Sequence, residues 1–353
     1  MKTPKLAIID DGISPAFIPK GQIARHFAAD ENAIWPDKPE EGDSHGSYCY
    51  KVFRQFTQTP HHLTSIKVLN RETGTGYSQA LLTALRWCAG QGIDLLHMSM
   101  GTRQYLDFAS IADAVKSLPN TIIVAACSNE NTLTFPACLP TVLGVRHYEL
   151  AGLRGGHVYI GSPYDQIELM AYAENASNSM AAPIITAKVC GYLAQGYEGL
   201  GQIRQKLKED AIKDTSFLSY EAYKNLLPEW EGIQVPVVAL PDNIPGSIDV
   251  LKRLNAAFVR EGYRAVGLSL GKEADTCAES YIFRPARWDP QIALPDLIEL
   301  YYNFTLPDVL FLHMDPQKAL SLPEGMAADA VIEPGWLGLD TPSLFAKIKG
   351  LLS

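Results

Sequence analysis

The sequence predicts an α/β protein whose core is a mostly parallel sheet with helices on both faces, followed by a smaller α/β domain. Three observations predict this class. Short apolar runs of strand type alternate with longer segments of helical periodicity. Several of these runs are apolar at every position, which is typical of strands buried on both faces of a parallel sheet. The alternation restarts near Ile233, which indicates a second unit.

In the first domain, predicted strands alternate with predicted helices, and each segment ends at a turn signal. The strands are predicted over residues 6–10, 64–69, 93–100, 121–126 and 142–145. The helices are predicted over residues 47–56, 77–90, 109–118, 179–195 and 201–212. Ligands of such sheets collect beyond the carboxyl ends of the strands. Asp10, Ser99 and Asn129 lie at or just after predicted strand ends, and they are therefore candidate site residues.

The second domain is predicted to begin at about residue 231, so that the domains span residues 1–230 and 231–353. Its strands are predicted over residues 235–240, 265–270, 308–314 and 330–332, and its helices over 248–262, 294–305 and 344–352. This pattern indicates a Rossmann-like α/β unit. Tyr301, Tyr302 and Phe304 are expected in its core. Residues 237–247 have the outline of a phosphate-binding turn without its Lys and glycine spacing, so an interaction or substrate-guiding role is favoured.

Composition excludes several classes of function. The 353 residues carry 30 Lys and Arg against 39 Asp and Glu, a net charge of −9, which argues against nucleic-acid binding. No apolar run approaches the roughly 18–20 residues that span a bilayer, and the N-terminus does not resemble a secretion signal. The six cysteines are irregularly spaced, which argues against a disulfide framework. The sequence therefore predicts a cytoplasmic protein without membrane or nucleic-acid partners. His61 and His62 are expected to be a solvated loop pair.

Three short segments carry residue types of catalytic chemistry. Asp10 ends the first predicted strand, His45 lies in a loop, and Ser179 opens a long apolar helix. Taken singly, each has an ordinary structural explanation as a turn former, a solvated histidine or a helix N-cap. Together they supply a nucleophilic triad. A serine hydroxyl needs an imidazole to accept its proton, and that imidazole needs a carboxylate to orient it.

These segments resemble the motifs of subtilisin-like serine proteases (subtilases), and the resemblance covers residues 5–213. Ile-Ile-Asp-Asp-Gly-Ile at 8–13 resembles the family's aspartate motif, and His-Gly-Ser at 45–47 resembles its His-Gly-Thr. Ser-Asn-Ser-Met-Ala-Ala-Pro at 177–183 is similar to Gly-Thr-Ser-Met-Ala-x-Pro. Further motifs with family resemblance follow the family's order: Met-Ser-Met-Gly at 98–101, Ala-Ala-Cys-Ser-Asn-Glu at 125–130 and Phe-Pro-Ala at 135–137.

The resemblance implies a subtilisin-like parallel sheet and a serine endopeptidase. It implies that Ser179 is the nucleophile, His45 the general base, Asp10 (and not Asp11) the triad acid, and Asn129 the side-chain donor to the oxyanion. An extended peptide or protein substrate is expected to pair with two strand edges by strand addition. These edges comprise Ser99, Met100, Gly101, Ala126, Cys127 and Ser128.

The sequence departs from the family pattern next to the proposed catalytic groups. Ser177 and Asn178 stand where the family has Gly-Thr, and Ser128 stands where it has Gly before the oxyanion Asn. The backbone passes close to substrate at these positions, where glycine is favoured. We therefore expect these residues to narrow the substrate range or slow turnover.

Other departures concern metals and processing. The intervals 45–99 and 129–179 are short for the family and contain no acidic ligand cluster, so neither a structural metal nor a cofactor is expected. The first core strand begins almost at the N-terminus, so the family's secretion signal and propeptide are expected to be missing. Asp11 together with Cys49 is similar to the kexin-like branch, which cuts after basic residues.

Two functional classes remain open. The first is a cytoplasmic peptide-processing endopeptidase that removes leaders from precursor peptides. The second is a catalytically weak or inactive subtilase that acts as a peptide-binding subunit, an alternative suggested by Ser128, Ser177 and Asn178. The complete triad and Asn129 favour the first class. The C-terminal domain is expected to serve a partner protein or self-association.

Overall fold

The structure is a computed structural model of the 353-residue chain. It describes residues 2–148, 155–160, 165, 167–213, 220–226, 232–270, 282–283, 292–323 and 325–352. The chain divides into one unit of residues 1–103, 110–162 and 166–217 and another of residues 104–109, 163–165 and 218–353. The predicted boundary at residues 230–231 lies outside the described residues.

The first unit is built on a nine-stranded sheet. Its strands are β1 (Lys5–Asp10), β2 (Ala24–Ala29), β3 (Ile34–Pro36), β4 (His62–Lys67), β5 (Leu95–Met98), β6 (Ile122–Ala126), β7 (Leu143–His147), β8 (His157–Tyr159) and β9 (Leu169–Ala171). Their order across the sheet is β3-β2-β4-β1-β5-β6-β7-β9-β8. Within this sheet, β3 runs antiparallel to β2 and β8 runs antiparallel to β9, while the other pairs are parallel.

Helices flank this sheet. They are α1 (His45–Phe56), α2 (Ser78–Cys88), α4 (Asn178–Ala194) and α5 (Gly199–Asp210), and a short 3-10 turn spans Pro15–Phe17. A further helix, α3 (Tyr105–Lys116), is divided between the two units, with its residues 110–116 in this one. Every residue of β5 and β6 is buried. Because successive side chains of a strand point to opposite faces, both faces of the central sheet are covered. The predicted α/β class with a mostly parallel sheet is confirmed.

Among the described residues, no helix combines the length and apolar character needed to cross a bilayer.

The core places α1 and α4 against the strand ends that carry the candidate residues. One hydrophobic cluster joins alternate residues of β1, β6 and β7 to the inner faces of both helices. Its members include Leu6, Ile8, Val124, Ala126, Val145, Tyr50, Phe53, Ala181 and Ile185. Asp10 is the last residue of β1, whereas His45 is the first residue of α1. The packing therefore brings the start of one helix beside the end of one strand.

Gly46 allows this close approach. A Cβ atom at Gly46 would lie 2.7 Å from the carbonyl oxygen of Gly12 and 3.1 Å from Cβ of Asp10. Any side chain at this position would push α1 away from the end of β1, because the Gly12 carbonyl is a backbone group and cannot yield cheaply. The glycine after His45 is thus needed for packing.

The sequence patterns did not predict β2, β3, β8 and β9, and they predicted the wrong environment for His61. Neither β2 nor β3, at one end of the sheet, contains a fully buried residue, and β8 and β9 have only three residues each, so the local signal of each strand is weak. His61 was expected in solvent with His62, and this expectation was wrong. His61 is buried, and its Nε2 lies 3.1 Å from the hydroxyl of Tyr50. His62 begins β4.

The second unit contains a five-stranded, fully parallel sheet in the order β12-β11-β13-β10-β14. Its strands are β10 (Val237–Leu240), β11 (Ala265–Ser269), β12 (Ile282–Phe283), β13 (Val309–His313) and β14 (Ala330–Val331). Its helices are α6 (Tyr220–Lys224), α7 (Ser247–Arg260), α8 (Leu294–Thr305), α9 (Pro316–Leu320) and α10 (Thr341–Leu352), with a 3-10 turn at Pro334–Trp336.

Two expectations for this unit can be compared with the structure. Tyr301, Tyr302 and Phe304 are buried on α8, as predicted. The loop that resembles a phosphate-binding turn leads from β10 to Ser247, the first residue of α7. The Ser247 hydroxyl lies 2.8 Å from Nε2 of His313, whose Nδ1 lies 2.8 Å from the Ser269 hydroxyl. Ser247 is therefore held by a buried side chain of its own unit.

Candidate active site

Asp10 and Asp11 are adjacent carboxylates with different partners. Both carboxylate oxygens of Asp10 lie 3.0 Å from Nδ1 of His45. The Asp11 carboxylate instead accepts hydrogen bonds from the backbone N–H groups of His45 (2.9 Å) and Gly46 (2.8 Å). These groups open α1 and have no acceptor within the helix. Asp11 therefore caps the helix that carries His45, and Asp10 orients its ring.

The environment of His45 favours its protonated form. Burial by itself lowers the pKa of an imidazole, but the side chain of His45 is 39% exposed and Asp10 lies against it. The hydrogen bond and negative charge of Asp10 outweigh burial, so the pKa of His45 is raised above its usual 6.5. Asp10 is thus placed to stabilise the imidazolium that forms when His45 accepts a proton.

Pro183 determines the partners of the Ser179 carbonyl group. In a regular helix, the N–H of residue 183 would donate to the carbonyl of residue 179, but proline has no N–H. The hydroxyl of Ser99 donates to this carbonyl instead, at 2.9 Å, and Sγ of Cys49 lies 3.7 Å from it. Ser99, which follows β5, and Cys49 of α1 therefore hold the first turn of α4, which contains Ser179.

Ser99 is also hydrogen-bonded to a chain of buried polar side chains formed by His97 and Thr186. Nε2 of His97 lies 2.7 Å from the Ser99 hydroxyl, and its Nδ1 lies 2.8 Å from the hydroxyl of Thr186 on α4. The Ser99 proton points to Ser179, so Nε2 of His97 is the donor to Ser99. Burial, and to a smaller extent the positive charge on His45, lower the pKa of His97 to about 3. His97 is therefore neutral at physiological pH and serves to fix Ser99.

Cys49 lies at the centre of this arrangement. Its Sγ is 3.2 Å from the Ser99 hydroxyl, 3.7 Å from Nδ1 of His45 and 3.9 Å from Oδ2 of Asp10. Among the described residues, Asp10, His45 and Cys49 are the group whose metal-ligating atoms lie within 4.8 Å of one another. Burial raises the pKa of the Cys49 thiol, which opposes the thiolate that metal binding requires. The contacts fit a packed hydrogen-bond donor better than a metal ligand.

The hydroxyl of Ser179 is hydrogen-bonded to a serine and not to His45. Its Oγ lies 2.6 Å from the hydroxyl of Ser177, and no hydrogen bond joins it to His45 within the described part of the chain. Sγ of Cys49 nevertheless lies 3.7 Å from both the backbone carbonyl oxygen of Ser179 and Nδ1 of His45. The structure thus brings Asp10, His45 and the backbone of Ser179 together around the Cys49 thiol, with the Ser179 hydroxyl bonded to that of Ser177, two residues earlier.

Asn129 lies beside the start of α4 with its amide nitrogen available. Its Oδ1 accepts a hydrogen bond from the backbone N–H of Asn178 at 3.1 Å. Within the described residues, Nδ2 of Asn129 and the backbone N–H of Ser179 have no acceptor. Both donors lie at the N-terminal end of α4, where the helix dipole favours negative charge. This pair of donors can receive a developing oxyanion.

Asn178 is a site residue whose role sequence reasoning missed. Its Oδ1 accepts a hydrogen bond from the backbone N–H of His147 at 2.6 Å. Its Nδ2 donates to the carbonyl of Ser128 at 2.5 Å and to Oδ1 of Asn131 at 3.2 Å. Asn178 therefore ties the loop that carries Asn129 to β7 and to α4. The sequence signal was present, since Asn178 is a departure from the family motif, but its partners are distant in sequence.

The residues predicted to bind substrate differ in what they offer. Among described residues, the backbone groups of Met100 and Gly101 make no backbone hydrogen bond, and Gly101 is exposed. Ser99 and Ser128 use their hydroxyls internally, and the N–H of Ser128 donates to Oγ1 of Thr134. Ala126 and Cys127 are buried at the end of β6. Of the predicted substrate-binding residues, Met100 and Gly101 are thus the two whose backbone groups are available, among described residues, to pair with an extended peptide.

Comparisons with known proteins found solved structures that are similar to this chain. No family model matches the chain, and no curated protein matches it. Among solved structures, it is similar to a cold adapted subtilisin-like serine proteinase with a TM-score of 0.44 and 18% identity, over 60% of this chain and 84% of that one. It is also similar to a lanthipeptide protease, with a TM-score of 0.44 and 14% identity, over 61% of this chain and 81% of that one.

The pKa of His45 gives a prediction about pH. Only neutral imidazole can accept the Ser179 proton, so kcat/KM should rise with pH through the His45 pKa, with a midpoint above 6.5. Asp10→Asn should move this midpoint to lower pH and reduce kcat by about 10⁴-fold. Rates of peptide cleavage measured from about pH 5 to 12, a range that includes a His45 pKa of about 11, report both effects. Asp43→Asn, at an exposed carboxylate that binds Tyr48, is the control. An unchanged midpoint in Asp10→Asn contradicts the assignment.

The Ser177 contact predicts that a substitution increases reactivity. Ser177→Ala removes the hydroxyl that competes with His45 for Ser179. A hydrogen bond of this type contributes roughly 0.5–1.5 kcal/mol, so the rate of labelling by a fluorophosphonate should rise by about 2–10-fold. Ser177→Thr keeps the hydroxyl and is the matched control. A slower or unchanged rate in Ser177→Ala would show that Ser177 does not restrain the nucleophile.

Proposed function

We propose that the protein is a subtilisin-like serine endopeptidase that cleaves extended peptides. The observation that supports this proposal is the contact of Asp10 with the His45 ring, together with the Cys49 thiol that lies 3.7 Å from both that ring and the Ser179 carbonyl. The resemblance of the motifs over residues 5–213 supports the same assignment.

In the first step, the Ser179 hydroxyl turns from Ser177 toward His45. Its Oγ attacks the scissile carbonyl carbon while Nε2 of His45 accepts its proton, and Asp10 stabilises the imidazolium. The carbonyl oxygen becomes an oxyanion, which Nδ2 of Asn129 and the backbone N–H of Ser179 stabilise as hydrogen-bond donors. His45 then gives its proton to the leaving amine. A water molecule repeats the sequence on the acyl-enzyme and releases the acid product.

An unfolded peptide segment is the substrate that this site accommodates. The unpaired backbone groups of Met100 and Gly101 offer strand pairing to an extended chain. A flexible leader segment of a precursor peptide can adopt that conformation without unfolding a domain. The five free cysteines among the described residues support a reducing compartment such as the cytoplasm. Binding of a partner protein or self-association remains our proposal for the second unit.

One observation favours a second candidate, a peptide-binding subunit with weak or no activity. The Ser179 hydroxyl is hydrogen-bonded to Ser177 and not to His45. If this contact persists in the presence of substrate, the nucleophile is not activated, while the strand edges still bind peptides. The two candidates differ in the reactivity of Ser179 and share the binding of extended peptides.

Labelling with a fluorophosphonate probe separates the candidates, because only an activated serine reacts. We expect the full-length protein to be labelled at Ser179 and to cleave members of a peptide library, as read by mass spectrometry. Ser179→Ala should lose both properties while retaining its thermal unfolding midpoint. Absence of labelling and cleavage in the wild-type protein supports the binding subunit. Cleavage by Ser179→Ala at the wild-type rate would refute the assignment of the nucleophile.

A further inference from the structure

Asn129, the proposed oxyanion donor, is an exposed residue in a tight turn. The backbone N–H of Asn131 donates to the carbonyl of Ser128 at 2.9 Å, which closes a turn over residues 128–131 with Asn129 in its second position. Asn131 has a φ of +56°, in the left-handed region. A catalytic donor has to be held in one geometry to act on a reacting atom. For an exposed side chain, that requires contacts on the buried side of the turn.

Arg146 is a buried cation on that side of the turn. It is 1% exposed, and its Nε donates to Oδ1 of Asn131 at 2.8 Å. Arg146 belongs to β7, which pairs with β6, and Ala126 at the end of β6 lies opposite Val145. A hydrogen bond from an ionised donor is stronger than one between neutral groups. Arg146 therefore ties the turn to the central sheet.

The partners of each amide determine how that amide is oriented. A guanidinium has donors and no acceptor, so the side-chain oxygen of Asn131 faces Arg146. The same oxygen accepts from Nδ2 of Asn178 at 3.2 Å. At its other end, Oδ1 of Asn178 accepts from the backbone N–H of His147, which can only donate. A reversed Asn178 amide would lose both contacts, so its orientation is fixed.

Asn178 transmits this orientation to Asn129. Nδ2 of Asn178 donates to the carbonyl of Ser128 at 2.5 Å, at the start of the turn. The backbone N–H of Asn178 donates to Oδ1 of Asn129 at 3.1 Å. Because this N–H can only donate, it binds the oxygen of the Asn129 amide and leaves Nδ2 as the group that can donate to an oxyanion. The network thus runs from Arg146 through Asn131 and Asn178 to Asn129.

Resting on the proposed function, we infer that Arg146 is a positioning residue for the oxyanion donor. Its guanidinium fixes Asn131 and, through it, the Asn178 amide and the turn that carries Asn129. The oxyanion develops only after the substrate has bound, so loss of Arg146 should lower kcat and leave KM nearly unchanged. Because misplacement of a catalytic group by about 1 Å can cost about 10²-fold in rate, we expect Arg146→Met to lower kcat by roughly 10–100-fold.

The experiment is a double-mutant cycle on the full-length protein. A peptide that the wild-type protein cleaves is taken from a randomised library, and kcat and KM are measured for Arg146→Met, Asn129→Ala and the double variant. In the Asn129→Ala background, Arg146→Met should change kcat by less than about twofold, because the group that Arg146 positions is absent. A purely structural role would lower kcat equally in both backgrounds.

Asn131→Gly tests the same contact from the other side. Glycine keeps the left-handed backbone without strain and removes the acceptor of Arg146. We expect the same loss of kcat as for Arg146→Met. Thermal unfolding midpoints report whether each variant folds, and Asn131→Gly decides the question if Arg146→Met unfolds.

Arg103→Met is the matched control. Arg103 forms an ion pair with Glu130 of the same turn, and both side chains are exposed. Exposed ion pairs contribute little, so this variant should keep kcat within about twofold of the wild-type value.

The outcomes separate this inference from the proposed function. Wild-type kcat in Asn131→Gly or in Asn129→Ala overturns the inference, and so does an equal loss from Arg146→Met with and without Asn129. These results leave the proposed function intact if Ser179→Ala abolishes cleavage. Absence of cleavage by the wild-type protein overturns both proposals.

Discussion

The hydrogen bond from Ser99 to the carbonyl of Ser179 depends on a missing backbone donor. Pro183 cannot donate to that carbonyl, so the carbonyl is free to accept from Ser99 of the β5 end and to contact Cys49 of α1. His97 and Thr186 fix Ser99 from behind. One proline in the first turns of α4 thereby links this helix to α1 and the sheet, and the position of Ser179 relative to His45 follows from that link.

The second determinant of the site is the use of polar groups at two helix starts. Asp11 satisfies the first N–H groups of α1, so Asp10 remains available to His45. At α4 the N–H of Asn178 orients Asn129, while the N–H of Ser179 is left without an acceptor among described residues. The Asn178 side chain holds the neighbouring loop through the Ser128 carbonyl. The two donors proposed for the oxyanion, Nδ2 of Asn129 and the N–H of Ser179, are therefore groups that the capping of α4 does not use.

Local patterns were sufficient to predict most of the core elements, and they failed where tertiary contacts decide. The helix predicted over residues 294–305 matches Leu294–Thr305 because its apolar spacing and ends are local signals. Asp10, His45 and Ser179 could be selected because their residue types suit one reaction and their motifs keep a family order. The buried state of His61 depends on Tyr50, and the role of Asn178 depends on Ser128 and His147. Such partners are set by packing and not by local sequence.

The proposed reaction requires one serine hydroxyl, one imidazole and two oxyanion donors to act on the same carbonyl group. A crystal structure of the protein after reaction with diisopropyl fluorophosphate would show whether these groups surround one site. We expect a phosphorus–oxygen bond to Oγ of Ser179, with the phosphoryl oxygen about 3 Å from Nδ2 of Asn129 and from the N–H of Ser179. An adduct on another residue, or a phosphoryl oxygen directed away from Asn129, would contradict it.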